Sequence, residues 1–240
     1  MAVRPLNRTR RRLLGALVCL CALALLAPGC AVEALFLWGL HRVGELPSPP
    51  RRPTVLIVHR ALWAIEDELP MRVEFMYPWV VFHNYRNPRG RQSAGAHVAA
   101  GAASAHVASV TSAGRPPRHL DYALRVFATT IWFTRTFSAE ELVVWYGERA
   151  CFGPDAVGLA QAARHYFGKT PEQLELHEAA LLAAVLSSPS RYDPWCRPDA
   201  ARARRAFTLS RLRDSGAASP AEVEKANSQP LGIVARPCSE

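Results

Sequence analysis

Arginine is the residue type in this sequence that most plainly carries chemistry. Lys and Arg number 29 against 20 Asp and Glu, and Arg supplies nearly all of the +9 net charge. Guanidinium groups bind phosphates, acidic lipids and nucleic acid, and charge alone does not choose among them. Arg118 and Arg125 stand close to Asp121, and Arg202, Arg204, Arg205, Arg211 and Arg213 form a denser group near the C-terminus. Glu66 and Asp67 are adjacent carboxylates in the last turn of a predicted helix, where a Glu ordinarily sits on a solvated face. His83, His97, His106 and His119 lack the partner spacing of a triad or metal site and read as surface or loop residues. The absence of a CxxC pair or His/Cys cluster argues against a zinc site. Cys151, Cys196 and Cys238 lie outside the N-terminal apolar run, so at most one bridge can form among them, and the sequence favours none.

The elements that must position these residues are helical. Half of the 240 residues are hydrophobic but only 9% are aromatic, and much of the apolar content is Ala and Leu, which favours a mainly α fold. Val58 to Leu69 has Leu62, Ile65 and Leu69 at helical spacing, and Pro70 ends it. Asn84 to Pro117 has little apolar periodicity and reads as a mobile loop. Leu120 to Phe133 reads as a buried helix, and Ser138-Ala139-Glu140-Glu141 is a capping box that starts another. Thr170-Pro171-Glu172-Gln173 and Ser219-Pro220-Ala221-Glu222 are further helix starts. Leu176 to Leu186 is apolar all round, whereas Asp199 to Arg213 places Ala, Phe and Leu on one face and its arginines elsewhere. A helical bundle is the expected result.

The N-terminus reads as an address. Residues 1–12 are basic, and Leu13 to Val32 is uncharged and long enough to cross a bilayer core of about 30 Å. Residues 13–40 are therefore expected to form a transmembrane anchor running into an interfacial segment, with the basic end in the cytoplasm. Ala27-Pro28-Gly29-Cys30 also resembles a lipoprotein cleavage site, and a cleaved secretory signal is a third reading. Each reading places the remainder outside the cytoplasm. Residues 41–53 are Pro-rich and expected to hold the folded domain, 54–240, away from the membrane.

Phe152-Gly153-Pro154-Asp155-Ala156-Val157-Gly158 and Ala162-Ala163-Arg164-His165-Tyr166-Phe167-Gly168-Lys169 resemble a segment of glycosyltransferase family 51, the peptidoglycan glycosyltransferases. Leu176-His177-Glu178-Ala179-Ala180-Leu181-Leu182-Ala183, Pro189-Ser190-Arg191-Tyr192-Asp193-Pro194 and Ala201-Arg202-Ala203-Arg204-Arg205 follow in the family's order and spacing. The resemblance implies a lysozyme-like helical domain at the outer face of the cytoplasmic membrane, acting on lipid II. It implies a carboxylate base for the acceptor hydroxyl, and cations or a divalent metal such as magnesium at the leaving diphosphate.

Against that pattern, Ala61-Leu62-Trp63-Ala64-Ile65-Glu66-Asp67 matches the helix that carries the family's base, making Glu66 the candidate base with Asp67 beside it. Pro70, Val73 and Phe75 stand where the family has Phe, His and Gly. Gly101 and Ser104 are what remains of the second motif, with Thr111 in place of its Lys, and Tyr122, Ala123 and Val126 occupy the third, which loses its second carboxylate. Ser104, Arg118 and Arg125 are then the candidate substrate contacts. The implied partners are lipid II or glycan strands, the membrane and other cell-wall synthesis proteins. These departures leave open whether the chain is an enzyme. Impaired polymerisation and a non-catalytic glycan- or partner-binding scaffold are the leading alternatives. Binding of an acidic surface or nucleic acid through the Arg-rich helix is a third, and an exported domain meets little nucleic acid.

Overall fold

The computed structural model describes residues 27–66, 69–80, 94–111 and 118–238. Among them the architecture is helical, with no strand and one isolated bridge between Cys151 and Val157. The helices are α1 (27–43), α2 (Ile57–Glu66), α3 (Ala96–Thr111), α4 (His119–Thr136), α5 (Ala139–Gly147), α6 (Leu159–Phe167), α7 (Leu176–Ser187), α8 (Pro198–Asp214) and α9 (Pro220–Ser228). Pro171–Gln173, behind the Thr170 capping box, is a single 3-10 turn rather than the start of a longer helix.

The centre of the bundle is α7, in which every residue from His177 to Val185 is buried. With apolar groups on all sides it can be wrapped, and α2, α8, α9 and α6 pack around it. The Ser138 box is formed as expected: its Oγ accepts from the Glu141 amide at 3.3 Å while its own amide donates to Glu141 Oε2 at 2.8 Å. Ser219 and Glu222 repeat that exchange at the start of α9.

Several expectations are corrected. Part of the expected loop 84–117 is the sixteen-residue helix α3, which buries Val98, Ala99, Ala102, Ala103 and Val107. Its face is made of alanines, which favour helix strongly and allow close packing but contribute little apolar periodicity. Burial in α4 is confined to its C-terminal half, from Ala128 onward, and Leu120 is 82% exposed. In α8, Arg205 is buried and Phe207 is exposed, the reverse of the expected segregation. Arg205 turns inward because it caps the end of α9, donating to the carbonyls of Asn227, Gln229 and Pro230 at 2.9 to 3.2 Å. Cys196 and Cys238 form a disulfide, a pairing that the sequence allowed but left open. The tail reaches Cys196 because Val234 bridges two neighbours: its amide donates to Tyr166 O and its carbonyl accepts from Trp195 Nε1, both at 2.8 Å.

Residues 13–26 of the expected membrane span lie outside the described residues. No helix among the described residues is long and apolar enough to cross a membrane. Phe36 and Leu40 of α1 join Met76, Ala96, Ala128 and Ile131 in a second core cluster. At the α1–α4 crossing a Cβ on Gly39 would fall 2.8 Å from that of Ala128, so only glycine permits this approach. The Pro-rich stretch is held against the domain: Pro47 O accepts from Trp132 Nε1 at 3.1 Å, and Glu45 O lies 2.9 Å from His106 Nε2.

Candidate functional site

Glu66 is the last residue of α2, half-buried, on a helix whose preceding turns are fixed in the core through Leu62, Trp63 and Ile65. The first turn of α2 is closed by His59, whose Nδ1 accepts from the Leu56 amide at 3.0 Å. That bond requires the neutral ring, and burial pushes the His59 pKa down to about 4. Because α2 packs on α7, α8 and α5, the carboxylate at its end has a rigid mount.

Tyr146 of α5 feels the charge of Glu66. The Tyr146 hydroxyl is raised well above its ordinary pKa, first by burial and then by the negative charge of Glu66. The Tyr146 ring lies against Gly101 on α3, where an added Cβ would come within 3.0 Å of both Cζ and the hydroxyl oxygen. Ser104 follows Gly101 on the same helix and is half-buried. Glu66, Tyr146 and Gly101 are thus one neighbourhood drawn from three helices. The sequence singled out no role for Tyr146, because no local signal could show that its hydroxyl feels the charge of a carboxylate eighty positions earlier.

The expected cations, Arg118 and Arg125, belong to the start and first half of α4. Arg118 is the exposed residue preceding α4 and caps nothing through its side chain. Arg125 is tied to Asp121 at 2.8 Å, and Arg42 of α1 holds the other oxygen of that carboxylate at 2.9 Å. Desolvation raises the Asp121 pKa, but the hydrogen bonds and charges of Arg125 and Arg42 outweigh it and hold the carboxyl below its usual range. Thr111, at the position of the family Lys, closes the end of α3 by donating to Val107 O and has no charge to offer. Asp67 and His83 lie outside the described residues. His97 and His119 are exposed as expected, whereas His106 is buried, its ring edge-on to Trp145.

A cleft of about 460 Å³ opens between the Pro-rich stretch, α3 and α5, lined by Glu45, His106, Ser109, Trp145, Glu148 and Arg149 among others. None of the described site candidates lines it. Among the described residues no group of three His, Cys, Asp or Glu is placed to hold a metal ion.

Comparison with known proteins places similarity in one part of the chain. Residues 107–213 match the family described as Transglycosylase. The chain is 34% identical to penicillin-binding protein 1A of Aquifex aeolicus over 116 residues, which are 48% of this chain and 16% of that protein. It is 36% identical to penicillin-binding protein 1A/1B of Bacillus subtilis over 98 residues, 40% of this chain and 11% of that one. Against penicillin-binding protein 1A of Escherichia coli the identity is 35% over 101 residues, 42% of this chain and 12% of the relative. The chain thus spans 11 to 16% of the length of these three relatives. A solved penicillin-binding protein 1A from Haemophilus influenzae overlaps 57% of this chain and 16% of its own at 23% identity, with a TM-score of 0.36, too loose to bear on the fold.

Proposed function

We propose that the protein, whose residues 107–213 match the family described as Transglycosylase, is a peptidoglycan glycosyltransferase-like component of cell-wall synthesis that binds lipid II or glycan strands and polymerises them poorly. The domain is lysozyme-like in this reading. The anchor ahead of it holds it at the outer face of the cytoplasmic membrane, with the basic residues 1–12 inside.

The observation that carries the proposal is where the family match begins. It starts at residue 107, beyond α2 and beyond Ser104, which supports reading the half of the chain that holds Glu66 as the diverged one. Glu66 is nonetheless mounted on α7 and α8 of the matched segment, beside the Tyr146 hydroxyl. A base remains in place to accept the proton of an acceptor hydroxyl. Charge compensation at the leaving diphosphate is weakened in this reading, since among the described candidates Arg125 is committed to Asp121 and Thr111 is uncharged. Removing one such electrostatic donor typically costs about 100- to 1,000-fold in rate. Binding therefore outlasts turnover. The pairing of Arg125 favours the second reading to the same extent, a scaffold that binds glycan or a cell-wall synthesis partner without catalysis.

Lipid II binding by the detergent-solubilised chain tests the proposal. Saturable binding that survives Glu66→Gln is expected, because the base acts on the reaction rather than on recognition. No binding of lipid II or of glycan strands would remove the first reading and leave of the second only a scaffold for a protein partner.

A further inference from the structure

We propose that the ridge formed by Arg191, Tyr192, Arg204 and Phe207 is a docking surface for an acidic segment of a partner protein, one in which carboxylates flank an apolar side chain. The ridge begins in the turn after α7 and continues along α8. Arg191 and Arg204 stack on Tyr192 with their guanidinium carbons 5.5 and 5.6 Å from the ring centre, and Arg204 also covers Phe207 at 4.8 Å. Arg211 approaches the same Phe207 ring at 5.9 Å. Cations and rings thus alternate along the surface.

The neighbouring arginines have other duties. Arg202 is paired with Asp199 at 2.7 Å, Arg213 with Asp214 at 2.8 Å, and Arg205 is buried against backbone carbonyls. Among the described residues neither Arg191 nor Arg204 has a carboxylate partner. Arg204 uses only its Nε, which donates to Ser187 Oγ at 3.2 Å, and that bond fixes the guanidinium while its terminal nitrogens remain for an incoming acid. The turn carrying Arg191 and Tyr192 is held by their amides, which donate to Ser188 O at 3.1 and 2.9 Å. A surface arranged before binding loses less entropy on binding.

The rings decide which kind of anion fits. Phe207 is 44% exposed between two guanidinium groups. A phosphate polymer gains charge contacts from such a surface but has no apolar group to bury against the ring. A peptide segment supplies both, and Arg with aromatic residues is the composition of protein-binding hot spots. A stacked guanidinium presents its N–H edge outward, the geometry a carboxylate accepts in two bonds.

Fluorescence anisotropy with the full chain in detergent tests this. The probes are a labelled peptide alternating Glu and Leu, the same peptide with Gln for Glu, and polyphosphate. The Glu peptide should bind saturably, and the Gln peptide at least about tenfold more weakly. Arg191→Gln with Arg204→Gln should weaken the Glu peptide at least about tenfold, and Phe207→Ser severalfold. Lysines at both positions keep the charge but lose the planar stack, and should restore only part of the affinity. If the double variant does not fold, Arg191→Gln alone serves, because its side chain makes only the ring contact. Equal binding of the Glu and Gln peptides, or variants that bind as the parent does, would overturn the proposal. So would polyphosphate binding that matches the Glu peptide and ignores Phe207→Ser, which would assign the ridge to phosphate polymers.

Discussion

At the scale of single residues, His59 ties the site's mount to pH. Its pKa is pushed down to about 4 by burial, below the ordinary value near 6.5, so between those values the unfolded chain binds a proton that the folded one refuses. Stability therefore rises with pH across about 4 to 6.5, is fully present at pH 7, and is lost as pH falls through that window. Its size is about 3 kcal/mol. His177 and His165, lowered mainly by desolvation, act in the same direction. Urea midpoints measured from pH 7 to 4.5 should fall steeply for the parent and less steeply for His59→Asn, which can still accept from the Leu56 amide. Equal slopes would mean that His59 is not buried as a neutral ring. Two glycines give a second residue-scale prediction. Gly168 ends α6 at φ 68°, with nothing but Val234 within 4 Å of an added Cβ, so Gly168→Ala should cost about 1 kcal/mol through the backbone alone. Gly158 has φ 84° and ψ 149°, a region essentially closed to other residues, and a Cβ there would overlap the Glu148 carbonyl. Gly158→Ala should cost roughly 3 kcal/mol or more, readable as the larger drop in melting temperature.

At the scale of elements, the capping boxes are independent modules. Ser138→Ala and Ser219→Ala should each lower stability by about 1 kcal/mol in denaturant titrations, and their double variant by the sum, since the two boxes share no partners. These were legible in the sequence because a cap is a local exchange between residues three apart. The all-apolar run of α7 was equally plain, as burial on every side leaves no polar stripe. Where α3 stands the sequence pointed to a loop, because a helix that packs by its alanines leaves almost no hydrophobic periodicity. Arg205 and Phe207 were assigned to the wrong sides of α8 because what sets them is the end of α9, more than twenty residues away. The candidate site divides along the same line. Glu66 was singled out from its helix and its neighbours in sequence, and Asp121 with Arg125 is a pair four residues apart within α4, whereas the approach of Arg42, the burial of His59 and the placing of Tyr146 depend on helices brought together only by folding.

At the scale of the whole molecule, the tail from Leu231 to Cys238 is fastened at Val234 and by the disulfide to Cys196, across a sequence separation of 42. Closing a loop of that length restrains the unfolded chain, so Cys238→Ser should lower stability by roughly 2 to 4 kcal/mol, and reductant should lower the parent's melting temperature but not the variant's. The proposed orientation, with 54–240 outside the cytoplasm, predicts active alkaline phosphatase when that enzyme is fused after Glu240 in a bacterial host. Inactive phosphatase there would contradict it. In the proposed function this chain keeps a mounted base and glycan recognition, while Thr111 replaces the family Lys and Arg125 is committed to Asp121, so that polymerisation is slow. The most direct measurement is the rate at which the detergent-solubilised protein converts lipid II to glycan strands, taken beside an ordinary peptidoglycan glycosyltransferase and beside Glu66→Gln. The account predicts that the parent binds lipid II yet polymerises it at least about 1,000-fold more slowly than the ordinary enzyme. Polymerisation at a comparable rate, abolished by Glu66→Gln, would contradict it.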